Sequence, residues 1–342
     1  MSAGNLTLLA YEPLSEQGLY ARDFFDDITE NHDSYTHIIK ALGGFDKANF
    51  NIKGTRDYLE EWFADGLMRR VVMLNPEGLT AWEGYVSRII LNVGTLQRTK
   101  SVENMFNRVY MIFSPIDVST APVGLSEETT NLVFNHLPSQ ADFGIKATVI
   151  KGGEITHGDA FDWSRTILDS RGDIQIGENI TTSSKNTLNI KIEAKGYWHT
   201  LEWLPYINDA AVGEIQAHQV ISEILEFFNE INPGWISTNF NLMDYNFRLE
   251  RRGADEFKTC LSLIKDIINR GGSGGERWVG GIYDDRQFIY KAAEDFNMMY
   301  GDDSFLIREL KDKAQRIFDQ SLDAEVKPWD LRPDQILRTT DL

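Results

Sequence analysis

The sequence predicts a β-rich α+β fold: two β units, each a small barrel or sandwich, with accessory segments between them and a helical insertion in the second. Three observations predict it. Residues 48–53 and 188–195 alternate apolar and polar side chains, the period-two mark of strands with one wet face. Ile221, Ile224, Leu225 and Phe228, and later Phe257, Cys260, Leu261, Ile264, Ile267 and Ile268, recur at three- and four-residue spacing, the period of an amphipathic helix. Glycine and proline turns punctuate the apolar runs.

Taken in order, residues 35–41 and 48–53 read as paired strands, with Gly43-Gly44 supplying the positive φ of a hairpin. A helix follows: Thr55 caps it, Tyr58, Leu59, Trp62 and Phe63 share a side, and Gly66 stops it. Residues 70–74 and 82–93 are strands around the turn Asn75-Pro76-Glu77-Gly78, and residues 107–113 form a last strand before Pro115. A helix among five or more strands gives a first β unit over residues 1–117. Residues 118–186 form an irregular intermediate segment with a helix near 159–170. The second unit spans 187–342, opening on the 188–195 strand and carrying its helical insertion at about 214–270. The run Gly271-Gly272-Ser273-Gly274-Gly275 reads as a mobile loop. Strands at 278–283 and 287–290 flank the turn Asp284-Asp285, a helix is expected at 305–318, and the prolines of 326–333 confine that stretch to an edge or extended connection.

Charge narrows the function classes. With 52 acidic against 34 basic residues the chain carries a formal charge of −18, a balance that disfavours gripping phosphates or anionic lipid. No stretch approaches the apolar length needed to cross a bilayer, and the opening residues lack the pattern of a signal peptide. The single cysteine, Cys260, excludes an internal disulfide and a thiolate zinc cage, and its place on a helix stripe marks it as a core residue.

No catalytic constellation emerges, so no catalytic, cofactor-binding or metal-ligating residue is assigned. The six histidines form neither an i, i+4 pair nor an HxH pair. His157 with Asp159 and Asp162 has ligand chemistry, but the pattern fits a polar loop entering a helix with acid in its first turn. There is no G-x-S-x-G, and GGSGG matches no nucleotide-binding loop. Paired carboxylates with stacking tryptophans would suit a carbohydrate-active or peptidoglycan-degrading enzyme, or a carbohydrate-binding attachment protein. Yet Trp62, Trp82, Trp198, Trp203 and Trp278 sit within core patterns. Asn-x-Thr triplets at Asn5 and Asn179 carry little weight without a secretory route.

Several blocks, taken in order, carry a likeness. They are SYTHIIKALGGFDKANFNIKG with the helix ending Trp62-Phe63-Ala64-Asp65-Gly66, Trp82-Glu83-Gly84-Tyr85-Val86, and SVENMFNRVYMIF. Asp142-Phe143-Gly144-Ile145, Gly196-Tyr197-Trp198-His199-Thr200-Leu201, RWVGGIYDDRQFIY and KPWDLRPDQILRTTDL follow. In these blocks and their order the chain resembles the tail-hub (tail-tip or baseplate-hub) proteins of tailed bacteriophages. The likeness lies in strand and turn patterns and is an association at the level of fold.

The resemblance implies two tube-type β domains that associate as a homotrimer into a ring matching the tail tube. It also implies a structural, non-enzymatic role without cofactors, located in the virion tail after assembly in the host cytoplasm. The expected partners are the tail tube, the distal tail and tip or fibre proteins. DNA would pass through an acidic conduit without specific binding, and the chain would insert in no membrane. Because the last block reaches Leu342, it further implies a bare hub, with wall hydrolysis and receptor contact left to other proteins.

Overall fold

The computed structural model describes residues 7–12, 24–76, 78–116, 130–180, 188–207, 213–244, 248–251, 257–271, 277–293 and 336–340. The expected helix at 305–318, the stretch at 326–333 and most of the glycine-rich run lie outside these residues, as does Asn5. The fold is β-rich α+β, built on a curled mixed sheet that forms a half-barrel.

The first strands are β1 (Thr7–Tyr11), β2 (Phe24–Asp27), β3 (His32–Lys40) and β4 (Leu42–Ile52). β3 and β4 pair antiparallel with Lys40 opposite Gly44, so the tight turn falls at residues 41–43 and Gly44 lies inside β4. Gly44 is required there on two counts. Its φ is +77°, and a Cβ would stand 2.1 Å from the carbonyl oxygen of Ile282, on a strand running parallel to β4. The sequence assigns the pair to a turn; the structure uses the second glycine mainly to let two backbones meet.

Helix α1 (Arg56–Asp65) starts where Thr55 Oγ1 accepts the amide of Tyr58, and it buries Leu59, Trp62 and Phe63. Burying three such side chains contributes roughly 1.5–3 kcal/mol each. At the other end the Gly66 amide donates to the Trp62 carbonyl with φ −75°, so close packing against Trp62 and Ile89, rather than a left-handed backbone, selects glycine. Then come β5 (Arg70–Leu74), β6 (Thr80–Val93) and β7 (Leu96–Ser101), with the expected Asn75 turn closed by its own side chain, whose Oδ1 accepts from Leu79 N.

The strand expected at 107–113 is β8 (Arg108–Pro115), and it leaves the main sheet. It pairs with β9 (Thr130–Asn135) and, in parallel, with β10 (Ala147–Ile155), a crossover that passes through α2 (Leu137–Phe143). Helix α3 (His157–Arg171) covers one face of this small sheet, packing Ala160 against Met111 and Phe113. The loose-looking patterns at 130–135 and 147–155 are therefore paired strands, with a short helix between them. β11 (Gln175–Ile180) returns to the main sheet along β7.

β12 (Leu188–Lys195), expected to open a second unit, lies between β4 and β6 and pairs antiparallel with both. A 3-10 turn at Tyr197–Glu202 follows. Next come β13 (Gly213–Gln216), α4 (Ala217–Ile231), β14 (Asn241–Leu242), β15 (Arg248–Arg251) and α5 (Cys260–Arg270). The two expected stripes are the buried faces of α4 and α5, except that Phe257 precedes α5 and takes a positive φ. β16 (Trp278–Ile282) and β17 (Phe288–Ala292) flank the turn at 284–286, where Asp285 and Arg286 take positive φ, and β18 (Ile336–Thr340) pairs with β3.

At the centre of the half-barrel is an antiparallel run in the order β18–β3–β4–β12–β6–β7–β11. From the start of β4 a wing of β16, β17 and β14 extends, and from the start of β6 a wing of β5, β1 and β2. Strands on both sides of the chain's midpoint thus share one sheet and one apolar core, reaching from Leu8 to Ala292.

Candidate functional site

The two faces of the central run differ sharply. Ile190, Ile192 and Ala194 of β12, Ala48, Phe50 and Ile52 of β4, and Ile89 and Leu91 of β6 are buried in one core with Leu59, Trp62 and Phe63 of α1. The opposite face is mostly polar and half-exposed, interrupted by the buried Ile90 of β6. Strand register aligns Asn49 and Asn51 of β4, Asn189, Lys191 and Glu193 of β12, Arg88 and Asn92 of β6, Gln97 and Thr99 of β7, and Gln175 of β11 on it. Asn92 donates to Asn189 at 2.9 Å, and Gln97 donates to Asn92 at 3.0 Å, so an amide row runs across three strands. Among the described side chains the charges here are Lys47, Arg88, Lys191 and Lys195 against Glu193. Glu193 reaches Lys191 at 2.7 Å and Arg88 at 3.5 Å, while Lys195 pairs with Glu103 at 2.8 Å.

Where this face ends, a cavity of about 490 Å³ opens between β6, β12, β10 and the 197–205 segment. Aromatic and aliphatic groups including Tyr85, Val102, Phe106, Val149, Trp203 and Phe257 line it. Polar and charged groups share the wall, among them Ser87, Glu103, Lys146, Lys195, His199 and Glu202. The most unusual of those groups is Lys146, immediately before β10 and only 4% exposed. Its Nζ donates to the Val102 carbonyl at 3.0 Å and stands 4.4 Å from the centroid of the Trp203 ring. Burial, then the nearby Lys195 charge, push this amine down to about 7, against a smaller upward pull from Glu103. Lys195, in bonding Glu103, holds that carboxyl below its usual range although burial pulls the other way.

A second wall group, His199, is fixed from behind. Its Nε2 meets Asp46 Oδ1 at 2.7 Å, and Lys40 Nζ meets Asp46 Oδ2 at 2.9 Å. Burial alone would raise the Asp46 carboxyl, but the bonds and charges of His199 and Lys40 prevail and hold it at about 2. The nearby hydroxyls are turned to the backbone: Ser87 Oγ donates to Glu193 O, and Thr259 Oγ1 accepts from Ser262 N at the start of α5. Deeper in the core, Glu83 sits 3.1 Å from Arg70 and 3.9 Å from Arg286. Burial raises its carboxyl despite both guanidinium groups.

Of the residues weighed from sequence, His199, Trp203 and Phe257 line the cavity, and the rest fall elsewhere. His157 and Asp159 begin α3; Thr156 Oγ1 accepts the Asp159 amide, and the His157 ring lies edge-on to Phe113 at 5.2 Å. Among the described residues no group of three or more potential metal ligands is gathered. Cys260 is buried at the start of α5, and burial pushes its thiol up. Trp62, Trp82, Trp198, Trp203 and Trp278 are all core residues, and Asn179 lies on β11. Sequence reasoning missed Lys146. Its only local signal is a lysine beside the first apolar residue of a strand, and burial comes from three segments distant in sequence. No helix among the described residues is long and apolar enough to cross a membrane. No protein-family model, curated protein or solved structure matches the chain.

Proposed function

We propose that this chain is a structural virion protein, a hub or tip component joining a phage tail tube to the distal tail apparatus and lining a conduit for DNA. One observation carries the reading: a broad antiparallel run with one face sealed by α1 and the core and the other open, polar and hydrogen-bonded across strands. A sheet so built can line a wet bore while helices face outward. In this reading the β units before residue 117 and after residue 187 are two tube-type domains fused along β4, β12 and β6, and three chains close a ring of six such units. The resemblance in the sequence blocks supports the same assignment.

The open face departs from the acidic lining that the net charge of −18 suggests, since its described cations outnumber its carboxylates. Its lysines at 191 and 195 and Arg88 are engaged by Glu193 and Glu103, which lowers their availability to phosphate. Under the proposal the repulsive potential comes from the carboxylates exposed over the rest of the ring. The alternative of a carbohydrate-active enzyme or attachment protein needs exposed aromatic platforms, and of the described tryptophans only Trp163 is half-exposed.

Negative-stain microscopy of the purified chain, alone and with tail-tube protein, tests the proposal. Rings of threefold or pseudo-sixfold symmetry that cap tube ends are expected; monomers that ignore the tube contradict it.

A further inference from the structure

We propose that the cavity beside β10 is a carbonyl-capture site, in which the Lys146 amine forms an imine with a small aldehyde or ketone whose apolar part packs against Trp203. The inference is independent of the hub reading.

Three features of the wall carry it. The cavity, about 490 Å³, is large enough for a compact ligand and is lined by the aromatic rings of Trp203, Tyr85 and Phe257. Lys146 makes no ion pair among the described residues; its amine is bonded to one carbonyl oxygen and lies against the Trp203 ring. A lysine removed from water and set beside a second cation is the arrangement that yields a neutral, nucleophilic amine. The charged and titratable groups facing it are Lys195 from β12, Glu103 from the segment after β7, His199 and Glu202 from the 3-10 turn, and Tyr85 from β6. Lys195 is occupied by Glu103 at 2.8 Å, so the pair adds little net attraction that would keep Lys146 protonated. Half of the Lys146 amine is neutral at about pH 7.

The chemistry balances without an oxidant or reductant. The neutral nitrogen adds to the carbonyl carbon to give a carbinolamine. Both protons of the amine then leave with the former carbonyl oxygen as one water molecule, and a C=N bond remains.

The test is reductive trapping on the intact chain. Salicylaldehyde at one equivalent is added at pH 6, 7 and 8, the imine is reduced with cyanoborohydride, and labelled peptides are mapped by mass spectrometry. Lys146 is expected to take the label at least about tenfold faster than Lys191 at pH 7, because roughly a thousandfold more of a lysine titrating near 7 is neutral there than of an ordinary one. The rate on Lys146 should level off above pH 7. The N-terminal amine titrates in a similar range and is read on its own peptide. Lys146→Arg should lose the fast site and leave the other peptides unchanged. Label spread over Lys47, Lys151 and Lys191 according to exposure, with Lys146 unmodified in the folded wild-type chain, overturns the proposal whether or not the variant folds.

Discussion

Asp46 and Lys146 are both shifted downward on folding, so both make stability rise with pH, Asp46 as a contribution gained and Lys146 as a penalty relieved. Asp46 drops from an ordinary 3.8 to about 2 on folding, so the folded state binds fewer protons between those values. Its contribution is present above about pH 4 and is lost as pH falls toward 2, and it amounts to about 2 kcal/mol. Asp46→Asn should therefore lower the urea midpoint at pH 6 and remove the part of the acid sensitivity that lies between pH 4 and 2. Lys146 drops from 10.5 to about 7, so the unfolded chain binds more protons between these values. Its burial is a penalty that is full below pH 7 and is relieved as pH rises toward 10.5, on the order of 5 kcal/mol in all. Relative to Lys146→Met, the wild type should gain stability between pH 6.5 and 9 in urea unfolding; parallel curves for the two would refute the buried-amine account.

Among the elements, β4 bears the heaviest steric demand, and two glycines with similar φ separate backbone strain from close approach. Gly44 has φ +77° with the Ile282 carbonyl in the way of any Cβ, whereas Gly78 has φ +80° and nothing within 4 Å. Gly78→Ala should cost about 1–2 kcal/mol, the price of a left-handed alanine. Gly44→Ala should exceed it by at least about 2 kcal/mol, because β4 and β16 must separate. Chemical denaturation of the two variants side by side measures the difference. Such elements also mark what the sequence makes legible. Thr55, the Leu59-Trp62-Phe63 side and the stripes of α4 and α5 are local signals, and each forms the element expected. The alternation of β12 is equally clear, yet alternation carries no information about neighbours, and β12 joins β4 and β6 across roughly a hundred residues of chain or more. β7 and β11, read as LQRTKS and QIGENI, show no apolar alternation because both are mostly half-exposed or exposed, and only their pairing makes them strands. The cavity was illegible for a related reason: residues 102–106, 146–149 and 195–205 converge only once the small sheet docks beside the main one.

At the scale of the whole molecule, the account is one of assembly and electrostatics. A net charge of −18 opposes any polyanion approaching the chain, while the ion-paired open face offers few free cations to hold one. Duplex DNA in a fluorescence anisotropy titration at 0.15 M salt should therefore bind more weakly than the roughly 10⁻⁴ M that bounds ordinary non-specific binding. The central claim, however, is that the chain completes itself by association: strands from several copies surround a common axis that one half-barrel cannot enclose. Sedimentation velocity on the purified chain, over a hundredfold range of concentration, tests that claim most directly. The account predicts a discrete three-copy species that gains population with concentration; a single one-copy boundary throughout the range would contradict it.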